Sequence, residues 1–336
     1  MSGPPEPDEA PLEEFDWIEQ ALRPLAAGAP EALELLDDAA ALPARPGFDL
    51  IVSKDAIVEG VHFLKSDPLD LVARKLLRVN LSDLAAKGAE PYGYLLAVAW
   101  PARHGRSARA AFVRGLAEDQ ARFGLHLLGG DTVSTPGPFT ASLTILGWAP
   151  AGEMVRRAGA VPGDVVLVTG AIGDGWLGLA AAQSRLAGAA AAEIDWLADR
   201  YRLPQPRLGL GPALRRLAHA AADVSDGLIA DAERIAIASR IAVALDLDRL
   251  PLSAPGGAWL ASQPDRSAAL IGLATGGDDY EVVCTAPEQA VEALNTEAMA
   301  LGFAFTPVGR VVAGAGVTAR IDGRPVALSR KGYRHG

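Results

Sequence analysis

Half of the 336 residues are apolar, enough to fill the cores of two ordinary domains, and the formal net charge is −10. That acidity excludes a protein that grips nucleic acid by neutralising its backbone, and the single cysteine, Cys284, excludes an internal disulfide and any multi-cysteine zinc or iron–sulfur centre. No apolar run approaches the ~20 residues of a membrane-spanning helix, and the opening MSGPPEPDEAPLEE is acidic and proline-rich where a secretory leader is basic and then apolar, so a cytoplasmic protein is expected.

Residues 1–12 hold too few apolar side chains to fold and read as a flexible tail. Phe15, Ile18, Leu22 and Leu25 then recur at helical spacing, which predicts an amphipathic helix. The segment DLIV, 49–52, reads as a buried strand whose end delivers Ser53, Lys54 and Asp55 beyond the sheet. From Pro68 a helical pattern runs through Leu71, Lys75, Leu76, Val79, Leu81, Leu84 and Ala85 until Gly88 stops it, which puts Asp83 inside a helix. Strands are expected over 94–100, 125–128 and 140–149, with a helix over 107–123. Loop residues break the pattern between Pro150 and Pro162, after which VVLVT, 165–169, opens a second unit. An alanine-rich helical region over 176–200, a helix after Gly227, and strands at 241–247, at 280–285 and near 308–312 complete it. Alternation of this kind predicts an α/β (α+β) protein with domains over 13–150 and 151–336.

The aspartates are the most informative feature. Asp37, Asp38, Asp55, Asp83, Asp131, Asp223 and Asp226 fall at expected strand ends, helix starts or glycine-rich turns, most of them beside apolar segments. Carboxylates gathered there repel one another, and hard divalent cations are the natural compensation. Mg²⁺ is usually held by one or two carboxylates together with substrate phosphates, so scattered aspartates suit several ions and a phosphoryl transfer. Asp131 directly follows Gly129 and Gly130, where glycine lets the backbone approach a phosphate. In AADVSDGLIAD, Asp223, Ser225 and Asp226 precede a helix start, a place that serves equally for capping and for anion binding. His62 in GVHF is either structural or a phosphate contact, and the turn Gly276, Gly277, Asp278, Asp279, Tyr280 either faces a second substrate or closes a loop. Gly173, Gly175 and Gly178 spell G-x-G-x-x-G after a strand, but the chain continues as helix where a dinucleotide fold needs a second strand ending in an acid. No G-x-x-x-x-G-K-[ST] loop and no protein-kinase signature is present.

Eight ordered blocks together resemble the thiamine-monophosphate kinases, a family of the aminoimidazole ribonucleotide synthetase-related superfamily. They are LLDDAAAL (35–42), VSKDAIVEGVHF (52–63), KLLRVNLSDLAAKGAEP (75–91), LLGGDT (127–132), VRRAGAVPGDVVLVTGAIGD (155–174), DVSDGLIAD (223–231), ATGGDDYEV (274–282) and RKGYRH (330–335), and they span nearly the whole chain. The resemblance implies an N-terminal mixed-sheet domain that pairs across a homodimer and binds ATP and Mg²⁺, a C-terminal α/β domain, and an active site in the cleft between them. It implies Mg²⁺ ligands at Asp38, Ser53, Lys54, Asp55, Asp83, Asp131, Asp223 and Asp226, ATP contacts at Gly130, Asp131, Arg157 and Ser225, and contacts to thiamine monophosphate at His62, Asp278 and Tyr333. The implied reaction is direct in-line attack by the thiamine phosphate oxygen on the γ-phosphorus of ATP, with no acid or base residue required because the attacking phosphate is already ionised.

Three positions depart from the family pattern. Lys54 stands where a small hydroxyl residue helps hold a metal ion, so that it either touches phosphate directly or points away and leaves its carbonyl as ligand. Leu36 replaces a glycine before the aspartate pair, and Asp278 stands where glutamate is commoner. The alternatives are another ATP-dependent enzyme of the superfamily and a non-catalytic binder of nucleotide and thiamine phosphate. Selenophosphate synthesis is the poorest fit, since it needs a reactive cysteine near the N-terminus and Cys284 sits in a C-terminal apolar strand.

Overall fold

The computed structural model describes residues 13–186 and 188–333. The expected tail over 1–12 and the last two positions of the RKGYRH block lie outside the described residues. Two compact units are present: the first comprises the chain up to Leu81 together with Glu90–Gly152, the second comprises Ser82–Ala89 and the chain from Glu153 onward.

In the first unit, α1 (Glu14–Trp17) runs on as one π-helical turn (Ile18–Leu22) and one 3₁₀ turn (Arg23–Ala26). The changing pitch defeats the 3.6-residue pattern read from the sequence. Phe15 is 82% exposed, and Trp17 is instead the buried anchor, packed edge-on against Trp100 with centroids 5.9 Å apart. Pro24, which lacks an N–H, sits in the turn that tightens to 3₁₀.

A four-stranded sheet follows, built from β1 (Phe48–Val58), β2 (Glu90–Pro101), β3 (His126–Thr135) and β4 (Thr140–Pro150) in the order β1-β4-β2-β3. β4 pairs antiparallel with β1 and with β2, while β3 runs parallel to β2 after the crossover helix α3 (Arg106–Phe123), so the sheet is mixed. Strand alternation separates the faces: Tyr94, Leu96, Val98 and Trp100 are buried, while Leu95 and Ala97 between them are exposed. α2 (Leu69–Lys87) approaches α3 so closely that a Cβ on Gly115 would lie 2.0 Å from the carbonyl of Asp70. The two helices are clamped by a buried pair, Arg78 Nε to Asp119 Oδ2 at 2.5 Å, and Arg74 adds a bond to the same carboxylate at 3.1 Å. α3 stops at Gly124 in the left-handed region (φ 66°), where glycine carries no Cβ penalty.

The second unit holds a seven-stranded sheet in the order β11-β10-β7-β9-β5-β8-β6. Its elements are β5 (Val165–Thr169), α4 (Asp174–Ala182), α5 (Ala191–Arg202), α6 (Gly211–Leu217), β6 (Ala220–Val224), α7 (Leu228–Ser239), β7 (Ala242–Asp246), α8 (Ala254–Ala261), α9 (Arg266–Thr275), β8 (Glu281–Ala286), α10 (Val291–Ala300), β9 (Phe305–Val312), β10 (Gly316–Ile321) and β11 (Arg324–Val326). Both faces of the sheet are covered. Val166, Val168, Ala222, Val224 and Val283 belong to one apolar core, and Val165, Leu167, Ala221, Val282 and Cys284 to another, which explains why β5 reads as an unbroken apolar run.

Several expectations need correction. The strand expected over 49–52 continues to Val58, so Ser53, Lys54 and Asp55 lie within it and not beyond its end. Asp131 likewise sits inside a strand, whereas Asp223 lies at the end of one. The alanine-rich region over 176–200 is two helices, α4 and α5. β6 was not legible because AAADV favours helix locally, and only pairing with β8 makes it a strand.

Candidate active site

Some of the expected residues gather in each unit. In the first, a cavity of about 610 Å³ is lined by Asp37, Asp38, Gly129, Gly130, Asp131 and Thr132, with Leu36, Leu95, Leu96 and Leu128 among its apolar walls. That size is in the range of small-ligand sites. Gly130 is there for a packing reason: a Cβ would lie 1.8 Å from the carbonyl of Leu96 on β2, and φ is +157°. The parallel register pairs Ala97 with Asp131, so β2 fixes the height of that carboxylate on the sheet. Asp38 is exposed, and its N–H donates to Asp37 Oδ1 at 2.7 Å.

Ser53 and Asp55 are not among the residues lining this cavity. Pleating turns them, half-buried, to the face that carries Ile51 and Ile57, while Val52, Lys54 and Ala56 are exposed on the other. Asp55 N–H donates to Asn80 Oδ1 of α2 at 3.0 Å. Lys54 Nζ donates to Thr144 Oγ1 across the β1–β4 ladder at 3.3 Å. His62 lies in the turn after β1, where its Nδ1 accepts from Val58 N–H at 3.0 Å, leaving the ring proton to Nε2, and its carbonyl accepts from Lys75 Nζ at 3.1 Å.

In the second unit, Asp223 is buried at the end of β6, with Ser225 and Asp226 half-buried in the turn before α7. The carboxylate of Asp231, one helical turn into α7, accepts from both Ser225 N–H and Asp226 N–H at 3.0 Å, and burial pushes its carboxyl up to about 7. Arg234 pairs with Asp231 at 2.9 Å and also with Asp226. Three consecutive carbonyls of this turn then collect two distant segments. Val224 accepts from Tyr280 N–H at 2.8 Å, Ser225 from Asp278 N–H at 2.8 Å, and Asp226 from Tyr333 N–H at 2.9 Å. Backbone hydrogen bonds therefore bring Asp226, Ser225, Asp278 and Tyr333 together.

Asp83 stands four residues before Lys87 on the last turns of α2, hence on the same helix face. Lys87 Nζ donates to the carbonyl of Ala221, two residues before Asp223, at 2.7 Å. Burial and the nearby Arg157 lower the Lys87 ammonium to about 8, against the opposing pull of Asp223 and Asp83. Arg157 is held next to β6 because Ala221 N–H bonds the carbonyl of Arg156 at 2.9 Å and Ser239 Oγ the carbonyl of Arg157 at 3.0 Å. Its Nε is buried without a hydrogen-bond partner among the described residues. A buried guanidinium N–H left unmatched is a place prepared for an anion.

Among the described residues no three His, Cys, Asp or Glu side chains are gathered into a ready-made metal cage. Pairs of carboxylates are what Mg²⁺ needs when phosphate oxygens complete its shell, and the donors here are all hard oxygens. The glycines of G-x-G-x-x-G are accounted for by packing: Gly173 N–H and Gly175 N–H both donate to buried Asp279, and a Cβ on Gly178 would lie 2.1 Å from the carbonyl of Leu197. Sequence reasoning passed over Lys87, Asp231 and Arg234. Of these only Lys87 carried a signal, its i+4 spacing from Asp83.

No helix among the described residues is long and apolar enough to cross a membrane. Residues 36–149 match the model of the AIR synthase related protein N-terminal domain, and residues 161–322 that of the C-terminal domain. The chain is 54% identical over 330 residues to the thiamine-monophosphate kinase of Caulobacter vibrioides, covering 98% of this chain and 93% of that protein. Among solved structures it is similar to the thiamine-monophosphate kinase of Stenotrophomonas maltophilia, with TM-score 0.81 and 36% identity over 94% of this chain and 98% of that one. It is also similar to AaThiL complexed with AMPPCP and TMP, with TM-score 0.76 and 27% identity over 89% and 91% of the two chains.

Proposed function

The chain belongs to the AIR synthase related family and, within it, to the thiamine-monophosphate kinases, and from that premise we propose how its residues carry the reaction. The protein transfers the γ-phosphate of ATP to thiamine monophosphate, giving thiamine diphosphate. The observation that carries the residue assignment is the bracket of three carbonyls at 224–226, which ties Ser225 and Asp226 to Asp278 and Tyr333.

Gly130, Asp131, Arg157 and Ser225 bind ATP. The unmatched Nε of Arg157 takes a phosphate oxygen, and the backbone at Gly130 admits the phosphate chain without a side chain intervening. Asp38, Asp55, Asp83, Asp131, Asp223 and Asp226, with Ser53, supply the oxygens for several Mg²⁺ ions. When bound, Mg²⁺ offsets repulsion between the two anionic substrates and stabilises charge on the transferring phosphoryl group. Lys54 adds a fixed positive charge on the face of β1 opposite Asp55. His62, Asp278 and Tyr333 hold thiamine monophosphate, the carboxylate of Asp278 and the ring of Tyr333 both suiting a cationic ligand. No residue is assigned as general base, since positioning of an already ionised phosphate supplies most of the rate.

The enzyme acts in the cytoplasm as a homodimer. Support for the dimer comes from the first unit's sheet, where Leu50, Val52 and Val133 are 39–55% exposed. The test is ADP release with ATP and Mg²⁺, thiamine monophosphate against thiamine as acceptor, with the product identified by chromatography. Thiamine diphosphate formed only from the monophosphate is expected. A folded protein with no turnover on either acceptor would overturn the reading.

A further inference from the structure

The turn Gly276–Tyr280 holds two non-glycine residues in the left-handed region within three positions, Asp278 at φ +62° and Tyr280 at φ +51°. Such conformations persist only where the surroundings over-determine them, and they concentrate at ligand clamps. Here the backbone is pinned at each step. Gly277 is pressed against the carbonyl of Ser225, from which a Cβ would lie 2.7 Å away. Asp278 N–H and Tyr280 N–H bond the carbonyls of Ser225 and Val224, and between them the buried Asp279 carboxylate accepts from Gly173 N–H and Gly175 N–H at the start of α4.

With the backbone pinned, the orientation of the Asp278 carboxylate is set by its side-chain contacts. Tyr280, two residues on and itself at positive φ, donates from Oη to Asp278 Oδ1 at 3.1 Å. A phenol that donates to a carboxylate fixes its orientation. We propose that Tyr280 is a positioning residue for thiamine monophosphate, its hydroxyl aiming the Asp278 carboxylate at the cationic part of the substrate. The inference rests on the reading of Asp278 as a substrate contact.

The test compares Tyr280→Phe with Asp278→Asn, measuring KM for thiamine monophosphate, KM for ATP, kcat and the melting temperature of each. Loss of one hydrogen bond to a charged group predicts that Tyr280→Phe raises KM for thiamine monophosphate about ten-fold, with KM for ATP and the melting temperature unchanged. A purely structural tyrosine would move the melting temperature or both KM values together. If Asp278→Asn raises that KM and Tyr280→Phe leaves it within two-fold of the parent, the inference about Tyr280 is wrong while Asp278 stands. If neither variant changes it, Asp278 is no substrate contact and both ideas fall. Should the phenylalanine variant not fold, difluorotyrosine at position 280 preserves the ring and has a more acidic phenol. KM for thiamine monophosphate should then climb as that phenol ionises, and a flat pH profile overturns the proposal.

Discussion

The N–H of Tyr333 donates to the carbonyl of Asp226 at 2.9 Å, across a chain separation of more than a hundred residues. The C-terminal segment is thereby fixed to the turn that carries a candidate metal ligand. Gly332 reinforces the contact, since a Cβ there would lie 2.5 Å from the same carbonyl.

Tyr333 is 39% exposed, with the Arg330 guanidinium 6.0 Å from its ring centroid. Replacing it by alanine removes the flat face and leaves the backbone bond. An aromatic–cation contact is worth about 0.5–2 kcal/mol, so Tyr333→Ala should raise KM for thiamine monophosphate roughly 2- to 30-fold, with Tyr333→Trp close to the parent. Steady-state kinetics with saturating ATP would decide it, and equal KM values for the two variants would remove the ring from the site.

Asp131 lines the first unit's cavity and is exposed, so its charge is not needed to hold the sheet together. Asp131→Asn keeps the size and removes the charge. A kcat lowered by about two orders of magnitude or more, with a melting temperature within a few degrees of the parent, is expected of a group that acts electrostatically on the transition state. Unchanged kcat would exclude that role.

Lys87 places an ammonium where Asp83 and Asp223 both act on it. It competes there with any divalent cation, so Lys87→Met should deepen the negative potential and lower the half-saturating Mg²⁺ concentration several-fold. A titration of activity against Mg²⁺ tests the sign, and a higher requirement in the variant would contradict it.

Asp119 and Arg78 are both fully buried and paired through two hydrogen bonds, at 2.5 and 2.9 Å. Asp119→Ala removes the carboxylate that both Arg78 and Arg74 bond between α2 and α3. Removing one partner of such a pair costs about 3–5 kcal/mol, to be read from denaturant unfolding. A loss below about 1 kcal/mol would mean that water reaches Arg78.

Cys284 is fully buried, and burial, with a smaller push from Asp164, raises its thiol far above the usual 9.0. In the native protein it should resist a thiol reagent at pH 8 and react only on unfolding. Its folded pKa is the higher one, so above pH 9 the unfolded chain alone releases the proton. Stability should therefore fall by about 1.4 kcal/mol per pH unit from this group, and Cys284→Ala should remove that part of the slope. Rapid labelling of the folded protein would contradict the burial argument.

Much of the architecture was legible in the chain. The helical pattern from Pro68 to Gly88 yields α2, and VVLVT yields β5, because each segment's burial repeats with the period of its own backbone. Carboxylates beside apolar segments already pointed to divalent cations and phosphate, and the eight blocks led to the family. Where a side chain points was not legible in the same way. Ser53, Lys54 and Asp55 are neighbours in sequence, yet a strand running on to Val58 sends Lys54 to one face and the other two to the opposite one. Lys87 meets Ala221 only after α2 and β6 have packed, and the segments at 224–226, 278–280 and 333 meet through backbone groups that carry no residue-type signal. Local periodicity and charge thus determined the elements and the class of chemistry, because they depend on residues a few positions apart. The partners of Asp226, Asp278 and Lys87 were decided by tertiary structure, because hydrogen bonds between distant segments form only when burial of the shared core brings donor and acceptor within about 3 Å.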